Sequence, residues 1–142
     1  VCNAPYIYEL LPRLNQVLAQ VKTIVGYNFT GFDNGFLTRY GASFNDETIV
    51  EDLSNIFAAI YGEFSPKHGD FKFKNLSTCA DYFGYDWSEE TAHNSLADCR
   101  ATAFCYQMAL EEKYQALYQE NIHKRDCGFF DESYDACGDY NG

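Results

Sequence analysis

Apolar residues recur at three- and four-residue steps near the start of the chain: Ile7, Leu10, Leu11, Leu14, Val17, Leu18 and Val21. This spacing predicts an amphipathic helix, which tolerates Pro12 only in its first turn or at a kink. Thr23-Ile24-Val25-Gly26-Tyr27-Asn28, a β-branched run ended by turn residues, predicts a short buried strand. A helix is expected from about Asp33 to Tyr40, with Gly41 just past its end. Thr48-Ile49-Val50 predicts a second short strand, leading to a helix across Leu53, Ile56, Phe57 and Ile60. Pro66 to Asp70 reads as loop, with Gly69 as its turn residue. Leu76, Cys79, Ala80 and Phe83 give one face of a short helix ended by Gly84. The longest helix is expected to start near Asn94 or Ser95 and to run past Leu117, with Leu96, Cys99, Ala103, Tyr106, Leu110 and Leu117 as its apolar stripe. Strands alternating with helices point to an α/β architecture. Two strands do not make a stable sheet on their own, so the sheet is expected to be incomplete.

Beyond Lys124-Arg125 the pattern changes. Residues 126–142 hold five acids, no Lys or Arg and three glycines, with Phe129, Phe130, Tyr134 and Tyr140 spread among them. Without a helical period this segment is expected to be a mobile or loosely docked acidic aromatic tail, following a domain over residues 1–125.

The chain has 142 residues, a length suited to one domain with a real core. An apolar content of 46% and an aromatic content of 18% exclude an intrinsically disordered chain. No apolar run approaches the roughly 18 to 20 residues of a spanning helix, and no basic segment precedes an apolar one as in a secretory signal. A cytoplasmic protein is therefore expected. Ten Lys+Arg against 21 Asp+Glu give a formal charge of −11, which argues against a general nucleic-acid coat. It leaves room for an enzyme that grips one end of a strand through metal ions. The six cysteines, at 2, 79, 99, 105, 127 and 137, form no CxxC pair. His123, Cys127 and Cys137 make at most a partial zinc site, and buried free thiols in a reducing cytosol are the expected state.

Two segments stand out chemically. The first runs from Ile24 through Asn28, Phe29, Phe32 and Asp33 to Leu37. A strand delivers its last polar residues to the sheet edge where open α/β sheets build their sites, and Asp33 follows at a helix start. Taken alone, Asp33 is explained as a helix N-cap and Asn28 as a turn former. The second is His93-Asn94-Ser95-Leu96-Ala97-Asp98, with Asp98 about a turn inside the long helix and His93 in the incoming loop. Five residues are about 140° around a helix, so the two meet only if that loop folds back. A histidine near neutrality suits deprotonation of an attacking water. Taken alone, this pair is explained as a solvated loop His and an Asp favoured by the helix dipole.

Together the segments resemble the DEDDh exonucleases of the ribonuclease-H-like superfamily, which includes the proofreading subunit of bacterial DNA polymerase III. Val25-Gly26-Tyr27-Asn28…Phe32-Asp33…Phe36-Leu37 is similar to the family's second motif, and His93-(four residues)-Asp98, followed by Ala101 and Thr102, to its third. Val50-Glu51-Asp52-Leu53, Phe73-Lys74-Asn75-Leu76 and Tyr82-Phe83-Gly84-Tyr85 match the family's order. The resemblance covers roughly residues 1–118. It implies stepwise removal of nucleotides from the single-stranded 3′ end of DNA or RNA by two-metal hydrolysis, with Mg²⁺ or Mn²⁺ as the ions. Asp98 and Asp33 would ligate the metals, His93 would take the proton from the nucleophilic water, and Asn28, Phe29 and Phe32 would shape the strand groove. Oxygen ligands suit these hard cations. Asp52 aligns with a position read as structural, and a DNA polymerase subunit is a partner the resemblance allows.

The pattern departs from the family in two places. Three residues rather than two separate Asn28 from Phe32, as in the proofreading domains of B-family polymerases. The family's first motif, an Asp-x-Glu on the opening strand, has no counterpart: Asp46-Glu47 and Asp131-Glu132 lack the spacing and the strand. The expectation is a ribonuclease-H-like exonuclease fold missing its first three strands, so that helices predominate. On this reading the chain is a fragment of an active enzyme, inactive alone. The alternative is a non-catalytic interaction protein on a degenerate exonuclease scaffold, using the tail or an exposed edge to hold a partner.

Overall fold

A computed structural model describes residues 3–29, 34–88 and 94–130. The architecture is mixed α/β with helices predominating, as expected. Six helices and four short strands lie among the described residues: α1 (Ile7–Leu18), β1 (Thr23–Gly26), α2 (Asn34–Arg39), β2 (Ile49–Asp52), α3 (Leu53–Tyr61), β3 (Phe64–Ser65), β4 (Asp70–Phe71), α4 (Leu76–Phe83), α5 (Ser95–Ala109) and α6 (Glu112–Asp126). The chain divides into two compact units, Val1–Asp52 and Leu53–Gly142. No helix among the described residues is long and apolar enough to cross a membrane.

In the first unit, Glu9 starts α1 by reaching back to accept the Tyr6 backbone N–H at 3.0 Å. Such a contact supplies a partner for a donor that the helix cannot satisfy. Pro12 lies beyond the first turn yet within the helix, where its ring removes one i→i−4 bond. Leu18 is buried and Ile7, Leu11, Leu14 and Val21 are half-buried, whereas Leu10 and Val17 of the expected stripe are exposed. Asn15 ties this helix to the chain beyond α2. Its Nδ2 donates to the Gly41 carbonyl at 3.2 Å, and its Oδ1 accepts the Ser43 N–H at 2.9 Å. Gly41 ends α2 as anticipated, at φ +97°, with Gly41 N–H donating to Thr38 and Ala42 N–H to Leu37. That paired closure needs a left-handed residue, which glycine adopts without a Cβ penalty.

β1 and β2 pair in parallel, Thr23 opposite Ile49 and Gly26 opposite Asp52. Parallel strands ordinarily bury both faces, yet Ile49 and Val50 are exposed here. Both expected strands form, displaced slightly: β1 stops at Gly26, and β2 extends past Val50 to Asp52.

The second unit centres on Leu53, Phe57 and Ile60 of α3, Cys79, Ala80 and Phe83 of α4, and Ala97, Ala101, Cys105 and Ala109 of α5. α4 forms as expected, with Asn75 accepting the Thr78 N–H at its start and Gly84 at φ +76° closing it. Three differences from the sequence reading have physical causes. First, the long helix is two helices. Leu110 keeps a helical conformation, but Glu111 turns extended (φ −61°, ψ 144°), and Gln115 Nε2 donates to the Ala109 carbonyl at 2.8 Å in place of the lost backbone donor. No Gly or Pro marks this break, so local propensity is silent about it.

Second, α5 buries the opposite set of residues from the stripe of large apolar ones. Leu96 and Leu110 are 58% and 53% exposed, while Ala97, Ala101, Cys105 and Ala109 are at most 1% exposed. Small side chains every fourth position let neighbouring helices approach closely, and this packing outweighs the larger transfer gain of the leucines. Third, the loop around Gly69 is the turn of a small antiparallel hairpin, Phe64 opposite Phe71 and Ser65 opposite Asp70. Two-residue strands are too short to leave a period in the sequence.

The start of the segment beyond Arg125 packs against this hairpin. Phe130 stacks on Phe64 (centroids 4.8 Å apart, planes 14° apart) and meets Phe71 edge-on, and Arg125 pairs with Asp70 at 2.9 Å. Residues 131–142 lie outside the described residues. Cys79 and Cys105 are buried free thiols as anticipated, but Cys99 and Cys127 are exposed.

Candidate active site

The turn after β1 is built by four residues of the first unit. Gly26 is required because a Cβ there would lie 2.3 Å from the Cβ of Phe29, whose side chain folds back over the strand end. Asn28 adopts a left-handed conformation (φ +55°), which asparagine tolerates better than most residues. Its backbone N–H donates to Asp52 Oδ1 at 2.8 Å. Asp52 is buried at the end of β2, opposite Gly26, so the two strand ends are clamped to each other by a carboxylate. Such a charge-assisted bond is stronger than a neutral one, which suits a turn that must hold one shape. Asp52 is thus structural, as its place in the motif order suggested. Phe29 is 8% exposed and meets Phe44 edge-on at 6.4 Å. Its side chain is thus packed against Phe44 and close to Gly26. Asn28 itself is exposed.

Phe32 and Asp33 lie outside the described residues, immediately before α2, whose first residue is Asn34. The expectation that Asp33 stands at a helix start therefore falls outside the described residues, which resume at Asn34.

The third motif belongs to the second unit. Asn94 caps α5, its side-chain oxygen accepting the N–H groups of Leu96 (3.1 Å) and Ala97 (3.3 Å). Asp98 is the fourth residue of this helix and half-buried. Its backbone is pinned on both sides: its N–H donates to Asn94 O at 2.8 Å, and its carbonyl accepts the Thr102 hydroxyl at 2.8 Å. Its carboxylate stands in the first turn of the helix, where the free backbone N–H groups lie. His93 lies outside the described residues, next to the Asn94 cap. Asn94 was expected only to mark the start of the helix, and its role as the cap that sets the first turn is a signal legible in Asn94-Ser95 itself.

Asn28 and Phe29 are thus placed at a strand end in one unit, and Asp98 in the first helical turn of the other. Among the described residues, no group of three or more His, Cys, Asp or Glu side chains is arranged to hold a metal ion. The donor chemistry nonetheless suits a hard cation, since the motif residues are carboxylates.

Comparison with known proteins adds one finding. The family model for exonucleases, RNase_T, matches residues 1–106, a span containing both motif segments. No curated protein and no solved structure matches the chain. With most of its length covered by that family model, the chain belongs to the RNase_T exonuclease family.

Proposed function

We propose that this protein is a DEDDh-type 3′-5′ exonuclease, acting on single-stranded 3′ ends of DNA or RNA. The observation that carries the reading is the family match over residues that include Asp33, His93 and Asp98. Further support comes from the way α5 holds Asp98: one turn past a capped start, backbone bonded on both sides. In this proposal Asp33 and Asp98 hold two divalent cations, Mg²⁺ or Mn²⁺. Those ions, when bound, neutralise charge on the scissile phosphate and acidify the attacking water. His93 accepts that water's proton, a task suited to an imidazole near neutral pH. Asn28 and Phe32 line the strand groove. Phe29 contributes by holding the turn.

No Asp-x-Glu occurs in the 142 residues, so in the proposed enzyme the remaining two carboxylates come from polypeptide outside them. The same absence favours a second reading, a non-catalytic interaction protein on an exonuclease scaffold. The natural full-length protein, incubated with 5′-labelled single-stranded DNA and RNA in Mg²⁺ and in Mn²⁺, separates the two. The enzyme produces a ladder shortening from the 3′ end. Its rate falls by a factor on the order of 10² to 10⁴ in His93→Ala, the usual contribution of a general base. Asp98→Asn abolishes turnover while the melting temperature stays near wild type. A full-length chain that leaves both strands intact, or near-wild-type rates in Asp98→Asn, would refute the enzyme and favour the interaction protein.

A further inference from the structure

The first turn of α5 hangs on one residue. Asn94 precedes the helix with an extended backbone (φ −87°, ψ 122°) and collects three bonds. Its side-chain oxygen accepts the N–H groups of Leu96 at 3.1 Å and Ala97 at 3.3 Å, and its carbonyl accepts that of Asp98 at 2.8 Å. Packing contributes little to this turn. Ser95 and Leu96 are exposed, Asp98 is half-buried, and Ala97 alone has its side chain, a single methyl group, in the core. Asn94 itself is exposed, so its side chain serves as an acceptor rather than as filling.

Asn94 also follows His93 directly. One peptide bond joins it to the proposed proton acceptor, while its carbonyl grips the backbone N–H of the proposed metal ligand. A base and a metal ligand that serve one water must keep a fixed separation, because a misplacement of about 1 Å costs on the order of 10²-fold in rate. Helix starts without a cap fray, since their first N–H groups have no intrahelical partner. Asp98 stands in that turn, and the Thr102 hydroxyl secures only its carbonyl side.

We propose that Asn94 is a positioning residue: by gathering the Leu96, Ala97 and Asp98 N–H groups it fixes the backbone between His93 and Asp98, and with it the separation of base and metal ligand. Asn94 itself donates no atom to the reaction. The inference rests on the exonuclease reading.

Two substitutions in the natural full-length protein test it. Asn94→Ser keeps a short side-chain acceptor. Asn94→Gly has none, yet as a cap it costs helix stability only slightly, so its melting temperature should fall by no more than about 3 °C. Exonuclease kinetics on 5′-labelled single-stranded DNA in Mg²⁺ are paired with Mn²⁺ binding followed by electron paramagnetic resonance, which needs no turnover. In Asn94→Gly, kcat should fall about tenfold or more with KM little changed, and Mn²⁺ should bind at least about threefold more weakly. Asn94→Ser should restore both to within about threefold of wild type. Wild-type kcat and Mn²⁺ affinity in Asn94→Gly, or Asn94→Ser no better than Asn94→Gly, would overturn the inference while leaving the exonuclease reading intact. A kcat loss fully matched by loss of folded protein at the assay temperature overturns it too, because stability alone then accounts for the effect. A wild type without nuclease activity overturns the exonuclease reading, and the positioning role with it.

Discussion

Asn121 is the polar plug of the second unit, and its replacement should be costly. The residue lies on α6 and is 8% exposed. Its Nδ2 donates to the Ala59 carbonyl at 2.7 Å and to the Ile60 carbonyl at 3.3 Å. Both carbonyls belong to the last turn of α3, where a helix has no donors of its own left to offer. Asn121→Ala leaves them without that donor in a buried place, at a cost of about 1–3 kcal/mol. For a unit of this size that lowers the melting temperature by about 5–15 °C. Asn121→Asp keeps the shape but turns an acceptor toward two acceptors, so it destabilises more than Ala at neutral pH. The buried Asp carboxyl would have a raised pKa, and protonation restores one donor, so its deficit shrinks on acidification. Gly62 provides a second handle, because it sits at φ +76° and a Cβ there would lie 2.7 Å from Asn121 Nδ2. Gly62→Ala therefore pays about 1–2 kcal/mol for the left-handed backbone, and a clash besides. The clash disappears in an Asn121→Ala background, so the double variant should be less destabilised than the two single effects added. Thermal unfolding followed by circular dichroism measures all four variants. A shift under about 1 °C for Asn121→Ala, or strict additivity in the double variant, would refute the reasoning.

The other expectations are shorter. Asp52→Ala removes the acceptor of the Asn28 N–H and should cost about 1–3 kcal/mol in denaturant unfolding, whereas Asn28→Gly, which accepts φ +55° freely, should cost little; equal losses would show that the clamp does not hold the turn. Phe130→Ala should lower stability in denaturant unfolding by about 0.5–1.5 kcal/mol for the lost ring pairing with Phe64 and Phe71, plus the burial it forfeits; an unchanged stability would show that this packing contributes nothing. Glu63 accepts hydrogen bonds from Lys74 and Lys72, which hold its carboxyl below the usual carboxylate range. A depressed folded pKa contributes stability above the unfolded pKa and loses it as pH falls through the folded one. The small melting difference between wild type and Glu63→Gln should therefore be present at pH 7 and vanish in acid; a difference that persists there would show the ion pairs are not its cause.

Where a local rule governs, the sequence was a sufficient guide. Gly41 and Gly84 end their helices because a left-handed closing residue is needed there, and Asn75 and Asn94 begin theirs by accepting orphan N–H groups; these features are legible within four residues. The two motif segments were legible for the same reason, since the residue types and spacings are local: His93 with Asp98, and Asn28 with Asp33. Tertiary structure decided the rest. The turn after β1 depends on Asp52, 24 residues beyond Asn28, and on Phe44 against Phe29. The break between α5 and α6 follows no breaker residue, and its carbonyl is met by Gln115 from the next helix. The buried face of α5 is lined by alanines and a cysteine because closeness of approach, a property of two helices together, outweighed the hydrophobicity that each leucine carries alone.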